Sequence, residues 1–222
     1  MFDQHPNVLA ALTGFISGLL LSVPVGPVNL TIINEGARRG FRWAIMIALG
    51  AVTMDLIYCT VAFTGFATFF GNRVVKAAME LSSFVFLLYL GVKFLKAKSI
   101  PTTHKLEEQI EKKLHPHSAY MIGFTRVMGN PGVLLLWIVL AANFISRDLV
   151  DSDGPSKFSC IFGVGIGASL WFAGLSYAVS RKYKIFTEKN LLRIEHFSGI
   201  ALISFAVIHG IRIVWQMTHG KI

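Results

Sequence analysis

The chain has 222 residues, of which 54% are hydrophobic and only 15% are charged, and its mean hydropathy is +0.60. This composition is too apolar for an ordinary soluble domain of this length. The net charge of +9 would suit a nucleic-acid-binding protein, but the basic residues lie mostly between long apolar runs. We therefore predict a single all-α integral membrane domain over residues 1–222, with the lipid bilayer as its partner and no nucleic acid.

Six apolar runs have about the length that a membrane-spanning helix needs. They lie at about 8–33, 42–70, 74–95, 119–146, 158–180 and 194–217. A polar connection at about 97–118 separates two sets of three runs, at about 8–96 and about 119–217. The pattern predicts a polytopic membrane protein with six transmembrane helices.

The first run is interrupted by Pro24, Gly26 and Pro27. Proline removes a backbone donor and clashes with the preceding turn, and glycine weakens the helix that remains. In a bilayer the freed backbone groups need partners in the protein or in a water-filled cavity. A simple proline kink explains this segment equally well when it is taken alone, but broken helices of this kind form substrate sites in transporters.

The second run contains Asp55. A carboxylate deep in a bilayer is energetically expensive, so it is a functional candidate by default. The alternative is a hydrogen-bonded acid that pins two helices together. We expect a functional role, because Asp55 is the only acid that the sequence places deep in a run.

The fourth run contains a second break, at Asn130, Pro131 and Gly132. Asparagine is suited to cap a helix and proline to occupy its first position, and Gly26–Pro27 offers the same arrangement with glycine as the cap. Because the first and fourth spans are three apart, they cross the membrane in opposite directions. The pair of breaks predicts a three-plus-three inverted repeat in which the two broken helices face each other.

The fifth run begins with Gly163, Gly165 and Gly167, a spacing that favours close packing between helices. The two cysteines, Cys59 and Cys160, lie in the second and fifth runs, where a packing role is favoured over redox chemistry.

The distribution of basic residues predicts the orientation of the chain. If the amino terminus is outside, the three inner loops hold fourteen Lys and Arg residues, and the outer loops and tails hold six. Basic residues are concentrated in cytoplasmic loops of membrane proteins. Both termini are therefore expected outside.

The sequence resembles the LysE family of bacterial amino-acid exporters in several motifs. The segment Pro24–Asn29, Pro-x-Gly-Pro-x-Asn, resembles the first-span signature of the family, and Gly36–Gly40, Gly-x-Arg-x-Gly, resembles the turn that follows it. Asp55 lies where family members have an acid in the second span, and Asn130–Pro131 resembles their fourth-span break. With the six-span plan, the resemblance extends over essentially the whole chain.

The resemblance implies a secondary-active exporter of amino acids or similar small metabolites in the bacterial inner membrane. It further implies coupling to an ion gradient, a homodimer, and no enzymatic activity or cofactor. It does not identify the solute, and it leaves proton and sodium coupling open.

The two lines of reasoning together give a site hypothesis for an amino-acid substrate. Helix starts after Gly26–Pro27 and Asn130–Pro131 can hold the carboxylate through backbone N–H groups. Asn29 and Asn130 can add side-chain hydrogen bonds. Asp55 can pair with the ammonium or bind the coupling proton. The predicted substrate-binding residues are Pro24, Gly26, Pro27, Asn29, Asp55, Asn130, Pro131 and Gly132, with Asp55 also as the coupling-ion residue.

Two other functions remain as alternatives. A divalent metal-ion exporter needs several carboxylates, or sets of His or Cys, and the sequence places only Asp55 deep in a run, so we predict no metal site. A membrane disulfide-relay oxidoreductase needs cysteines at the two breaks, and both cysteines lie elsewhere.

Overall fold

The computed structural model describes residues 6–65, 73–98 and 118–218, and every regular element in these ranges is helical. The α-helices in chain order are α1 (Pro6–Ser22), α2 (Pro27–Arg39), α3 (Phe41–Gly65), α4 (Arg73–Leu95), α5 (Ala119–Met128), α6 (Pro131–Ser146), α7 (Gly154–Lys182) and α8 (Glu188–Thr218). A short 3-10 helix, Tyr183–Ile185, joins α7 to α8. The all-α prediction is confirmed, while the predicted polar connection lies almost wholly outside the described residues.

Several of these helices have the length and apolarity of membrane spans. Three qualify alone: α3, α7 with the 3-10 turn, and α8 over Glu188–Ile208. Two bent pairs, α1 with α2 and α5 with α6, each qualify if the pair is one span. The third predicted run coincides with α4, in which Phe84–Leu95 forms a shorter apolar segment. The fold is that of a multi-pass membrane protein, and the six-span inverted repeat remains a prediction.

Both predicted helix breaks are present. The axes of α1 and α2 differ in direction by 67°, and those of α5 and α6 differ by 66°. Pro27 and Pro131 are the first residues of α2 and α6. A backbone N–H at the first position of a helix has no acceptor within the helix, so proline removes no hydrogen bond there. Each broken pair therefore changes direction abruptly where the sequence places proline beside glycine or asparagine.

Glycines bring α1 and α7 into close contact. Gly14 and Gly18 of α1 lie against the backbone of α7, and Gly163 and Gly167 of α7 lie against the backbone of α1. A Cβ atom at any of these four positions would meet backbone atoms of the other helix. The predicted packing role is confirmed at Gly163 and Gly167, whereas Gly165 faces a leucine side chain of α3.

The same type of contact joins α3 to α5. Gly50 of α3 lies against the backbone of α5 at Tyr120, and Gly123 of α5 lies against the backbone of α3 at Ile47 and Ala51. Small residues allow two helix backbones to approach closely without a loss of packing. The first half of each broken pair is thus packed by glycine against an unbroken helix from the other half of the chain.

Candidate functional site

The two helix breaks border a single cavity of about 540 Å³. Its wall is formed by residues of the two breaks and of α3, α4, α7 and α8. Seven of the eight predicted site residues line it: Pro24, Gly26, Pro27, Asn29, Asp55, Asn130 and Gly132. Pro131 does not line the cavity, because it is an exposed residue at the start of α6.

At the first break, Asn29 replaces the backbone hydrogen bonds that the prolines remove. Its Nδ2 donates to the Ser22 carbonyl at 2.9 Å and to the Pro24 carbonyl at 2.6 Å. Its Oδ1 accepts a hydrogen bond from the Trp171 indole Nε1 of α7 at 3.2 Å. The side-chain amide of Asn29 is therefore engaged within the protein, where it satisfies carbonyls that a bilayer could not.

The second break is held by an asparagine that accepts a backbone hydrogen bond and by a tyrosine that donates one. Asn130 caps α6, since its Oδ1 accepts from the Gly132 backbone N–H at 3.1 Å. The Tyr58 hydroxyl of α3 donates to the Met128 carbonyl at the end of α5, at 2.8 Å. Here too, a predicted site residue that lines the cavity, Asn130, forms a hydrogen bond within the protein.

The two helix starts differ in the backbone amides that they leave free. At the start of α6, the Gly132 N–H is bonded to Asn130 and the Val133 N–H donates to the Asn130 carbonyl. At the start of α2, Gly26 provides no side-chain cap, and the Val28 and Asn29 N–H groups donate no hydrogen bond within the described residues. Free amides at a helix N-terminus attract anions.

Asp55 lies on α3 and is partly buried against the cavity. Its Oδ1 accepts a hydrogen bond from the Trp137 indole Nε1 of α6 at 3.4 Å, which is a long contact. In the part of the chain that the structure describes, its carboxyl group forms no salt bridge. A cavity-facing carboxyl group without a basic partner is suited to a substrate ammonium group or to a proton.

Glu195 is a second acid in the cavity, and it was not among the predicted site residues. Glu195 stands at the start of the sixth apolar run, and in the structure this residue of α8 is only 4% exposed. The helix begins at Glu188, two turns earlier, so Glu195 is not at its end as the apolar pattern suggested. Its Oε2 accepts a hydrogen bond from the Val25 backbone N–H, within the first break, at 2.7 Å. Lys93 of α4 lines the same cavity.

Each of the two alternative functions requires a particular set of residues, namely a cluster of metal ligands or cysteines at the two helix breaks. Across the ranges that the structure covers, no group of three or more His, Cys, Asp or Glu side chains is arranged to hold a metal ion. Cys59 and Cys160 are buried free thiols in the interiors of α3 and α7. Neither is at a helix break, where a disulfide relay would need them.

Comparison with known proteins gives a consistent result. The family model described as LysE type translocator matches residues 19–211. The chain is 26% identical over 206 residues to the putative amino acid efflux protein YcgF of Bacillus subtilis (strain 168), covering 93% of this chain and 97% of that protein.

Two further relatives match a smaller part of the chain. Identity is 30% over 167 residues to the arginine exporter protein ArgO of Shigella flexneri, covering 73% of this chain and 74% of that protein. It is 24% over 162 residues to the chemotactic transduction protein ChpE of Pseudomonas aeruginosa, covering 72% and 77% respectively. No solved structure matches the chain.

Proposed function

The chain belongs to the LysE type translocator family, and we propose that it exports amino acids or related small metabolites across the bacterial inner membrane by cation antiport, with protons as the coupling ion. The main observation in support is the convergence of seven predicted site residues, from two helix breaks and α3, on one cavity. The names of two relatives, an amino acid efflux protein and an arginine exporter, agree with this substrate class.

The cavity offers complementary groups for the two charges of an amino acid. The free Val28 and Asn29 amides at the start of α2 provide a site for the substrate carboxylate, since they are at the positive end of a helix dipole. The start of α6 is a weaker candidate, because Asn130 already accepts from Gly132. Asp55 provides a carboxylate for the substrate ammonium group or for the coupling proton.

An inverted repeat would allow this site to face each side of the membrane in turn. Two features support the repeat: the nearly equal bends at the breaks, and the matching glycine contacts of α1 with α7 and of α5 with α3. In the proposed orientation, the basic loops are cytoplasmic and both termini are periplasmic. We further propose that the protein acts as a homodimer.

The proposal is tested with the purified protein in liposomes, using a panel of labelled amino acids and an imposed pH gradient. We expect gradient-driven accumulation of one class of amino acid. Asp55→Asn should abolish this accumulation, because a neutral amide neither pairs with an ammonium group nor exchanges a proton. The matched control is Asp148→Asn, an exposed acid whose positive φ of 55° asparagine tolerates well.

Three outcomes would contradict the proposal in different ways. Normal accumulation by the Asp55→Asn protein would exclude the coupling role of Asp55. Accumulation driven by a sodium gradient but not by a pH gradient would replace the proton with sodium. Transport of a divalent cation without transport of any amino acid would favour the metal-ion exporter instead.

A further inference from the structure

The first helix break is also a partition between two spaces. A second pocket of about 360 Å³ lies on the other side of the break from the main cavity. Val25 and Asn29 line both spaces, whereas most of the other residues around the second pocket are apolar side chains of α1, α2, α7 and α8. The break therefore lies between the pocket and the cavity.

Two polar contacts hold this partition in place. From α7, Trp171 donates to Asn29, which in turn bonds to the carbonyls of the break. From α8, the Glu195 carboxyl group accepts the Val25 N–H. Val25 is 3% exposed and Glu195 is 4% exposed, so this hydrogen bond is almost free of competing water. A hydrogen bond in such low-dielectric surroundings is stronger than the same bond in water.

Glu195 belongs to a pair of helices, α4 and α8, in which each helix makes its most extensive contact with the other. Gly91 of α4 and Gly199 of α8 allow these two helices to approach closely, and the His196 Nε2 lies 2.9 Å from the Ala97 carbonyl. Within the described residues, the other extensive contact of this pair is between α4 and α6. The hydrogen bond from Val25 to Glu195 is thus a direct polar link from the pair to the first break.

We propose that Glu195 is a positioning residue that closes the partition, and that movement of the α4–α8 pair withdraws its carboxyl group and lets the two spaces join. The Val25 N–H is buried and needs an acceptor. If the Glu195 oxygen is withdrawn, the break must shift until the N–H meets another acceptor. The inference rests on the proposed transport function, in which the cavity must open alternately to the two sides. This role differs from that of Asp55, because it depends on the position of the Glu195 carboxyl oxygen and not on the charge of Glu195.

Two conservative variants separate acceptor geometry from charge. Glu195→Gln removes the charge but keeps the side-chain length and a carbonyl oxygen that can accept from Val25. Glu195→Asp keeps the charge but shortens the side chain by one methylene, so the carboxyl group no longer reaches the 2.7 Å contact. Both are tested in the full chain, reconstituted in vesicles of defined orientation.

The readout is the labelling rate of single cysteines with a membrane-impermeant thiol reagent. Cys59 and Cys160 are first replaced by alanine. Val28→Cys then reports on the main cavity, and Ala178→Cys, which lines the second pocket, is the control reporter. With reagent on the side of the α7–α8 loop, Glu195→Asp should raise labelling at position 28 by at least roughly fivefold, the effect of losing one net hydrogen bond. Glu195→Gln should leave it unchanged, and labelling at position 178 should be equal in all proteins.

Either of two results would overturn the inference. Unchanged labelling at position 28 in the Glu195→Asp protein would show that this hydrogen bond does not hold the partition. Faster labelling in the Glu195→Gln protein would assign the effect to charge. Thiol labelling does not require transport, so a failure of the amino-acid assay with the wild-type chain would refute the proposed substrate and leave the labelling result intact.

Discussion

Replacement of Gly123 by alanine tests whether the α3–α5 contact positions the second helix break. An ideal Cβ on Gly123 would lie against the Ile47 carbonyl oxygen, 2.7 Å from the Ile47 carbonyl carbon and 3.0 Å from the Ala51 nitrogen. Because ordinary contacts begin at 3.4 Å, the two backbones would have to separate by at least about 0.7 Å. Overpacking of this type costs about 1–3 kcal/mol in the free energy of unfolding.

The same separation would affect the site. The hydrogen bond from Tyr58 to Met128 spans the two helices at 2.8 Å, and a separation of about 0.7 Å or more would extend it to about 3.5 Å or beyond, the limit of a hydrogen bond. We therefore expect Gly123→Ala to lower both stability and transport. For soluble domains of similar length, 1 kcal/mol corresponds to roughly 2–4 °C in Tm, so the loss should be about 2–12 °C.

The assay is thermal unfolding of the purified protein in detergent, followed by amino-acid accumulation in liposomes. Gly174→Ala in α7 is the matched control, since a Cβ there meets no atom within 4 Å. It removes a helical glycine without a clash, so its Tm should stay the same or rise slightly. Equal Tm values for the two variants would refute the packing argument for Gly123.

Three further predictions concern the groups that hold the breaks and the thiols. Asn29→Asp removes the donor to two carbonyls at the first break, so it should lower Tm by at least about 4 °C. The control, Asn34→Asp on the exposed face of the same helix, should leave Tm unchanged. An equal loss of Tm in both proteins would contradict the role of Asn29. Tyr58→Phe leaves the Met128 carbonyl without its donor and should lower the free energy of unfolding by about 1–3 kcal/mol. Tyr177→Phe, at a residue that is 58% exposed, should be neutral, and thermal unfolding of both proteins checks this. The protein with both Cys59→Ala and Cys160→Ala should transport within about twofold of the wild-type rate, because buried cysteine acts as a small apolar residue; a loss of transport in liposomes would favour the disulfide-relay alternative.

Several features of this protein were predictable from short segments of sequence. The positions of the two breaks follow from proline beside glycine or asparagine, since these residues remove backbone donors or weaken the helix whatever surrounds them. The apolar runs predicted the helices, although the bounds at α8 differ, because Glu188–Arg193 extend the helix beyond its apolar part. Asp55 was identifiable as a site candidate because a carboxylate within an apolar run is rare.

The partners of these groups could not be read from the sequence. The Val25 N–H and the Glu195 carboxyl group are 170 residues apart, and Trp171 reaches Asn29 from 142 residues away. The glycines at positions 14 and 18 bring α1 against α7, which carries Trp171, and those at positions 91 and 199 bring α4 against α8, which carries Glu195. Local chemistry determined where the chain breaks and which backbone groups then need a partner, because those effects act within one helical turn. The tertiary packing alone decided which side chain supplies each partner, and so placed Asp55 and Glu195 in the same cavity.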